Sequence, residues 1–258
     1  PNTINRDSHF FFFSCCYIFY MVFAVIDLGT NTFNLLIAER LPNCTFRKIF
    51  NTKIAVKLGQ GTINSGYIAD VPFQRGINAL KQYQQYLLDH NVEHTYAFAT
   101  SAIRSASNGH EFVAQAKKVA GITITVIDGN EEADLIYHGN RMAVNLTNDI
   151  SLIMDIGGGS TEFILANHDT VFWKQSYLLG AARLLEKFNL SDPITNQETV
   201  LFNSYLKQEL DSLFKAVELH QPIELIGSSG AFDSVVDIIA GKFDTPEIND
   251  IQTEYHIN

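Results

Sequence analysis

A chain of 258 residues, 46% hydrophobic and 18% charged, is long enough for one large domain or two ordinary ones, each with its own core. The formal net charge of −10, in a sequence with no evident basic stripe of the kind a duplex binder needs, argues against nucleic acid as a partner, so an anionic substrate must be met locally. Three cysteines, Cys15, Cys16 and Cys44, argue against a disulfide framework and for a reducing cytoplasm, and the eight histidines show no metal-ligand spacing.

Residues 9–26 form an uncharged apolar run of bilayer-spanning length. Only Arg6 precedes it, with Asp7 beside it, so the basic flank of a signal peptide is missing. Met21 to Ile26 also reads as a first core strand. Residues 1–20 are therefore expected to be an extension outside the fold and no membrane is expected as a partner; an N-terminal anchor is the alternative.

From Met21 onward strands alternate with helical segments, which predicts an α/β protein. Strands are expected at 22–27 and 33–40, joined by a polar turn at 29–32, and a helix at 71–90. A short strand at 96–99 runs into a helix, a strand at 122–127 stops at Asp128-Gly129, and a helix at 131–140 takes Asn130 as its N-cap. The less periodic stretch near 142–149 divides the chain into domains at 21–141 and 142–258. Beyond it, strands are expected at 151–156, 162–166, 171–179 and 223–226, with helices at 181–188, 198–220 and 231–240, the last ending at Gly241.

Asp27-Leu-Gly-Thr-Asn-Thr-Phe-Asn-Leu-Leu-Ile-Ala38 aligns without gaps on Asp155-Ile-Gly-Gly-Gly-Ser-Thr-Glu-Phe-Ile-Leu-Ala166. Both read as strand, turn, strand, which suggests a duplicated domain whose two turns face each other across a cleft. Three consecutive glycines cost backbone entropy and imply a turn whose N–H groups approach something closely, most often an anion. Thr30, Asn31 and Thr32 in one turn, and Gly157, Gly158, Gly159 and Ser160 in the other, are the candidate phosphate contacts, although each turn alone also reads as a plain hairpin. Asp27 and Asp155 end their strands, where a carboxylate either holds Mg²⁺ or hydrogen-bonds its own turn. Asn34 of the first copy is Glu162 in the second, so the chemistry is expected in one half, with Glu162 accepting a proton from an attacking water. Glu131, Glu132 and Asp134 are explained by the helix dipole alone. Arg104 and Arg183 read either as phosphate contacts or as solvated helix residues. No nucleophile elbow and no Walker loop is present.

Asp27-Leu-Gly-Thr-Asn-Thr, Ala99-Thr-Ser-Ala-Ile-Arg, Gly129-Asn-Glu-Glu-Ala, Asp155-Ile-Gly-Gly-Gly-Ser-Thr-Glu and Gly227-Ser-Ser-Gly occur in order, and together they resemble the exopolyphosphatase and guanosine pentaphosphate phosphohydrolase family. The resemblance implies an actin-like ATPase fold of two ribonuclease-H-like domains around a cleft, and Mg²⁺-dependent release of a terminal phosphate from polyphosphate or a guanosine polyphosphate. It implies that Glu162 and Glu132 are the essential glutamates, with Glu132 also near the metal, that Arg104 clamps the transferring phosphoryl group, and that Asp155 is associated with the metal. Asp134 stands where members commonly carry arginine, and the sequence stops where members normally continue, so a truncated second domain and a preference for short chains or nucleotides are expected. A homodimer is the protein partnership entertained. The rival readings are a small-molecule kinase or ATPase of the same fold and a non-catalytic sensor of the same anions.

Overall fold

The computed structural model describes residues 21–41 and 45–243; the expectations for residues 1–20, for the three cysteines and for the tail lie outside them. The first unit begins with an antiparallel run, β1 (Met21–Leu28), β2 (Thr32–Arg40) and β3 (Phe46–Ala55). Helix α1 (Asp70–Asp89) returns the chain to β4 (His94–Ala99), parallel to β1, and α2 (Ser101–Arg104) and α3 (Gly109–Ala120) lead to β5 (Ile124–Val126), parallel to β4. The sheet order is β3-β2-β1-β4-β5.

Helix α4 (Gly129–Ala143) opens the second unit, where β6 (Ser151–Ile156), β7 (Thr161–Ala166) and β8 (Val171–Tyr177) repeat the antiparallel run. Helices α5 (Ala181–Phe188), α6 (Asn196–Glu209) and α7 (Asp211–His220) precede β9 (Glu224–Ser228), parallel to β6, and α8 (Gly230–Phe243) follows. Among the described residues this sheet runs β8-β7-β6-β9, the order of the first four strands of its counterpart. No helix of the described residues is long and apolar enough to cross a membrane.

Strand alternation sorts the side chains. In the first unit Ala24, Ile26, Leu28, Phe33, Leu35 and Ile37 pack on Ile77, Leu80 and Tyr83 of α1 and on Phe112 of α3. Asp27 and Asn34 are left on the opposite face. In the second unit Ile153, Ile164 and Ala166 pack on Ala133 and Tyr137 of α4, while Phe163 and Tyr177 pack on Leu213 of α7. Period two then puts Asp155 and Glu162 on the face that α4 covers.

Ala133 and Tyr137 of α4 belong to the core of the second sheet. Four expectations change. The α4 N-cap is Asp128, whose side chain accepts from the N–H groups of Asn130 and Glu131 while Glu131 accepts from the Asp128 N–H. The long helix at 198–220 is two helices meeting at Leu210, and the last helix continues through Gly241. Strand β3 was not expected, since its largely exposed residues include Arg47, Lys48 and Lys53.

Phe112 is fully buried, edge-on to Phe33 and Phe73 with ring centroids 6.3 and 5.1 Å away. Phe112→Ala is expected to destabilise the protein by about 3–5 kcal/mol, measured by urea unfolding; an unchanged midpoint would contradict this packing.

Candidate active site

The two turns expected from the internal repeat meet. A Cβ built on Gly158 would lie 2.8 Å from the Asn31 side-chain nitrogen, and one on Gly159 would lie 2.4 Å from Thr30 Oγ1 and 2.7 Å from Ser101 Oγ. Only glycine lets the second turn come this close to the first.

In both turns the carbonyls are held from behind. The Thr30 carbonyl accepts from Leu58 N–H at 2.7 Å and the Asn31 carbonyl from Lys57 N–H at 2.7 Å. In the second turn the Gly157 carbonyl accepts from Ala181 N–H and the Gly158 carbonyl from Ala182 N–H, both at 2.9 Å, at the start of α5. The Gly159 carbonyl accepts from Arg183 Nε at 2.9 Å. A trans peptide holds its C=O and the following N–H on opposite sides. The N–H groups of Asn31 and Thr32, and those of Gly158, Gly159 and Ser160, therefore point away from these supports. Among the described residues no backbone carbonyl accepts from the last three. Successive N–H groups presented in this way form a concavity suited to an anion.

Four carboxylates surround this seam. Glu162 is 1% exposed, and its Oε1 accepts from Ser176 Oγ at 2.6 Å. Its pKa is pushed up to about 7, first by burial, then by the neighbouring Glu132 charge; hydrogen bonds from Ser176 and Ser160 oppose the rise. The Ser160 bond ties Glu162 to the second turn. Glu132 accepts from Arg104 Nη1 at 2.9 Å, and the same nitrogen donates to the Ile127 carbonyl at 3.0 Å. Burial raises the Glu132 pKa, Arg104 lowers it, and Asp27 and Asp155 raise it again. Asp155 is raised by burial and opposed by Ser229 and Ser228. Water reaches Asp27, yet protein crowds it enough for desolvation to raise its pKa, with Asn34 opposing and Asp155 adding to the rise.

The repeat explains the asymmetry. Asp27 pairs across the hairpin with Asn34, whose Nδ2 donates to Asp27 Oδ2 at 3.0 Å. At the same register Asp155 faces Glu162, two carboxylates that cannot satisfy each other while ionised. The second half therefore recruits other donors: Ser176 stands opposite Glu162 on β8, and Ser228 opposite Asp155 on β9. Close approach of α4 depends on Gly129, where a Cβ would lie 2.4 Å from that of Ser176.

Arg183 is not a solvated helix residue, the alternative reading of it: it is 8% exposed, and its guanidinium donates to the Gly159 and Ile63 carbonyls and faces Ser105 Oγ. Asp134 is ion-paired with Lys174, whose Nζ also donates to the Asn130 carbonyl at 3.2 Å. Sequence reasoning missed Ser176, an unremarkable serine on a strand, and Ser101, which carried no signal beyond the quoted Ala-Thr-Ser segment. A surface groove lined by Ile54, Val71, Arg75 and Gln82 lies apart from this chemistry.

No three acidic, histidine or cysteine side chains converge as a metal cage among the described residues. Mg²⁺ does not need one, since it is commonly held by one or two carboxylates, water and substrate phosphates. Asp155 raises the pKa of Asp27, and both aspartates raise that of Glu132, with Arg104 as the nearby cation, a surplus of negative charge that fits a divalent ion.

Residues 36–255 match the Ppx/GppA phosphatase family. The chain is 31% identical over 220 residues to exopolyphosphatase 2 of Mycobacterium tuberculosis, covering 82% of this chain and 69% of that one. It is 32% identical over 225 residues to a bifunctional 3-dehydroquinate synthase/phosphatase of Fusobacterium nucleatum, covering 83% of this chain and 34% of that protein. The crystal structure of an exopolyphosphatase from Cytophaga hutchinsonii superimposes with a TM-score of 0.85 at 39% identity, covering 89% of this chain and 73% of that one. The paired sheets accordingly have the actin-like ATPase architecture expected from the motifs. By motif order, sheet topology and match across most of its length, the chain belongs to the Ppx/GppA phosphatase family.

Proposed function

We propose that this chain hydrolyses a terminal phosphoanhydride of inorganic polyphosphate or guanosine pentaphosphate. The observation that carries the reading is the buried Glu162, with a pKa near 7, hydrogen-bonded to the turn whose N–H groups form the anion concavity. A binding module needs the concavity but gains nothing from a desolvated carboxylate beside it.

In this reading the terminal phosphoryl group sits between the two turns, held by the N–H groups of Asn31, Thr32, Gly158, Gly159 and Ser160 and by the Thr30 hydroxyl. Glu162 takes a proton from water as the water oxygen attacks phosphorus in line. The bridging P–O bond breaks and the shortened chain leaves with the electron pair. Glu132 orients the water beside Glu162, and Arg104 meets charge on the equatorial oxygens, so positioning and electrostatics supply most of the acceleration. Asp155, with Asp27 and Glu132, would hold Mg²⁺ through carboxylate oxygens and water. When bound, the ion would neutralise charge on the phosphate oxygens.

The test is phosphate release from tripolyphosphate, longer polyphosphate, guanosine pentaphosphate and ATP, with and without Mg²⁺. Release from the first three only in the presence of Mg²⁺ is expected; binding without release would favour a sensor, and turnover confined to ATP a kinase or ATPase. Glu162→Gln is expected to lower kcat by about 10²–10⁴-fold with substrate binding retained, and near-normal turnover would remove Glu162 from the base role.

The pH dependence follows from the raised pKa. Below about 7 Glu162 holds its proton and cannot accept another, so kcat/KM should rise with pH through a midpoint near 7, and Glu162→Gln should lose this limb. Because the folded-state pKa lies above the unfolded one, the stabilisation is present at low pH and lost as pH rises through about 7. Glu162→Gln should therefore melt higher than the parent chain at pH 8; equal melting temperatures would contradict a desolvated carboxylate.

A further inference from the structure

Arg183 lies at the first turn of α5 and bridges the two units. In the second unit its Nε donates to the Gly159 carbonyl at 2.9 Å and its own N–H to the Gly158 carbonyl at 3.2 Å. In the first unit its Nη1 donates to the Ile63 carbonyl at 2.8 Å and its Nη2 lies 3.4 Å from Ser105 Oγ. The bridge is reciprocated: Asn64 Nδ2 donates to the Arg183 carbonyl at 3.0 Å, and Asn64 N–H to Glu186 Oε1 at 3.3 Å. A planar guanidinium is suited to this work, because its fixed fork of donors reaches several carbonyls in one geometry.

The Gly159 carbonyl sets the direction of the Ser160 N–H, since both belong to one rigid peptide plane. The Gly157 and Gly158 carbonyls are held by backbone N–H groups of the first turn of α5, the turn that also carries Arg183. Gly159 differs: its carbonyl is held by a side chain that is itself anchored to Ile63 and Ser105 of the other unit. Its Cα is pressed against Thr30 and Ser101. The third N–H of the concavity is therefore correctly aimed only while the two units stand in register.

We propose that Arg183 is a positioning residue that couples the register of the two units to the aim of the Ser160 N–H, and that it does not contact substrate. The proposal rests on the phosphate-binding reading of the two turns, but its structural arm can be read without turnover.

Arg183→Lys, Arg183→Met and Asn64→Ala would be compared with the parent chain in two ways. The first is hydrogen exchange, without ligand, at the amides of Gly157, Ala181 and Ala182, whose bonds hold the second turn. The second is kcat, KM and the salt dependence of KM for tripolyphosphate hydrolysis. Arg183→Met is expected to speed exchange at these amides by about 10-fold or more and to lower kcat by about 10²-fold, with the salt dependence of KM unchanged. Lysine, a single point charge without the fork, should resemble methionine in exchange and kcat. Asn64→Ala, which touches no atom of the turn, should move exchange and kcat in the same direction by a few-fold and decides the matter if the Arg183 variants do not fold. Unchanged exchange, with KM restored by lysine and its salt dependence flattened by methionine, would make Arg183 a substrate ligand and overturn the proposal. Faster exchange in the variants of a parent chain that releases no phosphate would leave the coupling standing while the hydrolase reading fails.

Discussion

A trans peptide carries its C=O and N–H on opposite sides, so whatever grips the carbonyls of a turn also aims its N–H groups. In this protein the grip comes from three places. The segment after β3 holds Thr30 and Asn31, the first N–H groups of α5 hold Gly157 and Gly158, and Arg183 holds Gly159. A chain with a net charge of −10 thereby presents fixed positive dipoles on one small surface without a basic patch. The glycines serve the same end from the other side, since a Cβ at Gly158 or Gly159 would collide with Asn31, Thr30 or Ser101 and hold the units apart.

Negative charge at the seam is the second constraint. Asp27 and its cross-strand partner Asn34 place one carboxylate and one amide donor at a register position, whereas the duplicated pair, Asp155 and Glu162, places two carboxylates there. The sheet absorbs this by surrounding them with hydroxyls, Ser160 and Ser176 at Glu162 and Ser228 and Ser229 at Asp155, while Arg104 answers Glu132. Burial still prevails for Glu162, whose pKa stays near 7. A group held there disfavours the folded state at alkaline pH, a local loss of stability of the sort that a proton-accepting site requires.

Much of this was legible in the chain because its signals are local. The alignment of 27–38 on 155–166 carries over to the hairpins β1–β2 and β6–β7, with Asp27 opposite Asn34 and Asp155 opposite Glu162. Helix α5 begins and ends where its periodicity placed it. What escaped depends on tertiary partners. Strand β3 alternates weakly because it is a largely exposed edge strand, and the break at Leu210 has no glycine or proline to announce it. The packing of helix α4 on the second sheet was not legible, because its apolar face fits either sheet until Tyr137 and Ala133 are seen against Ile153 and Ile164. Arg183 read either as a phosphate contact or as a solvated helix residue, because a lone arginine after a glycine gives no hint of carbonyls 24 and 120 residues away. The aim of the N–H groups was only suggested by the glycines, since it depends on what stands behind them.

The central claim is that both turns bind one anion together. Its direct measurement is an NMR titration of the chain with a methylene-bridged, non-hydrolysable triphosphate in the presence of Mg²⁺, following the backbone amides of Asn31, Thr32, Gly158, Gly159 and Ser160. The account predicts that all five shift along one saturation curve; a response confined to one turn, or absent from both, would contradict it.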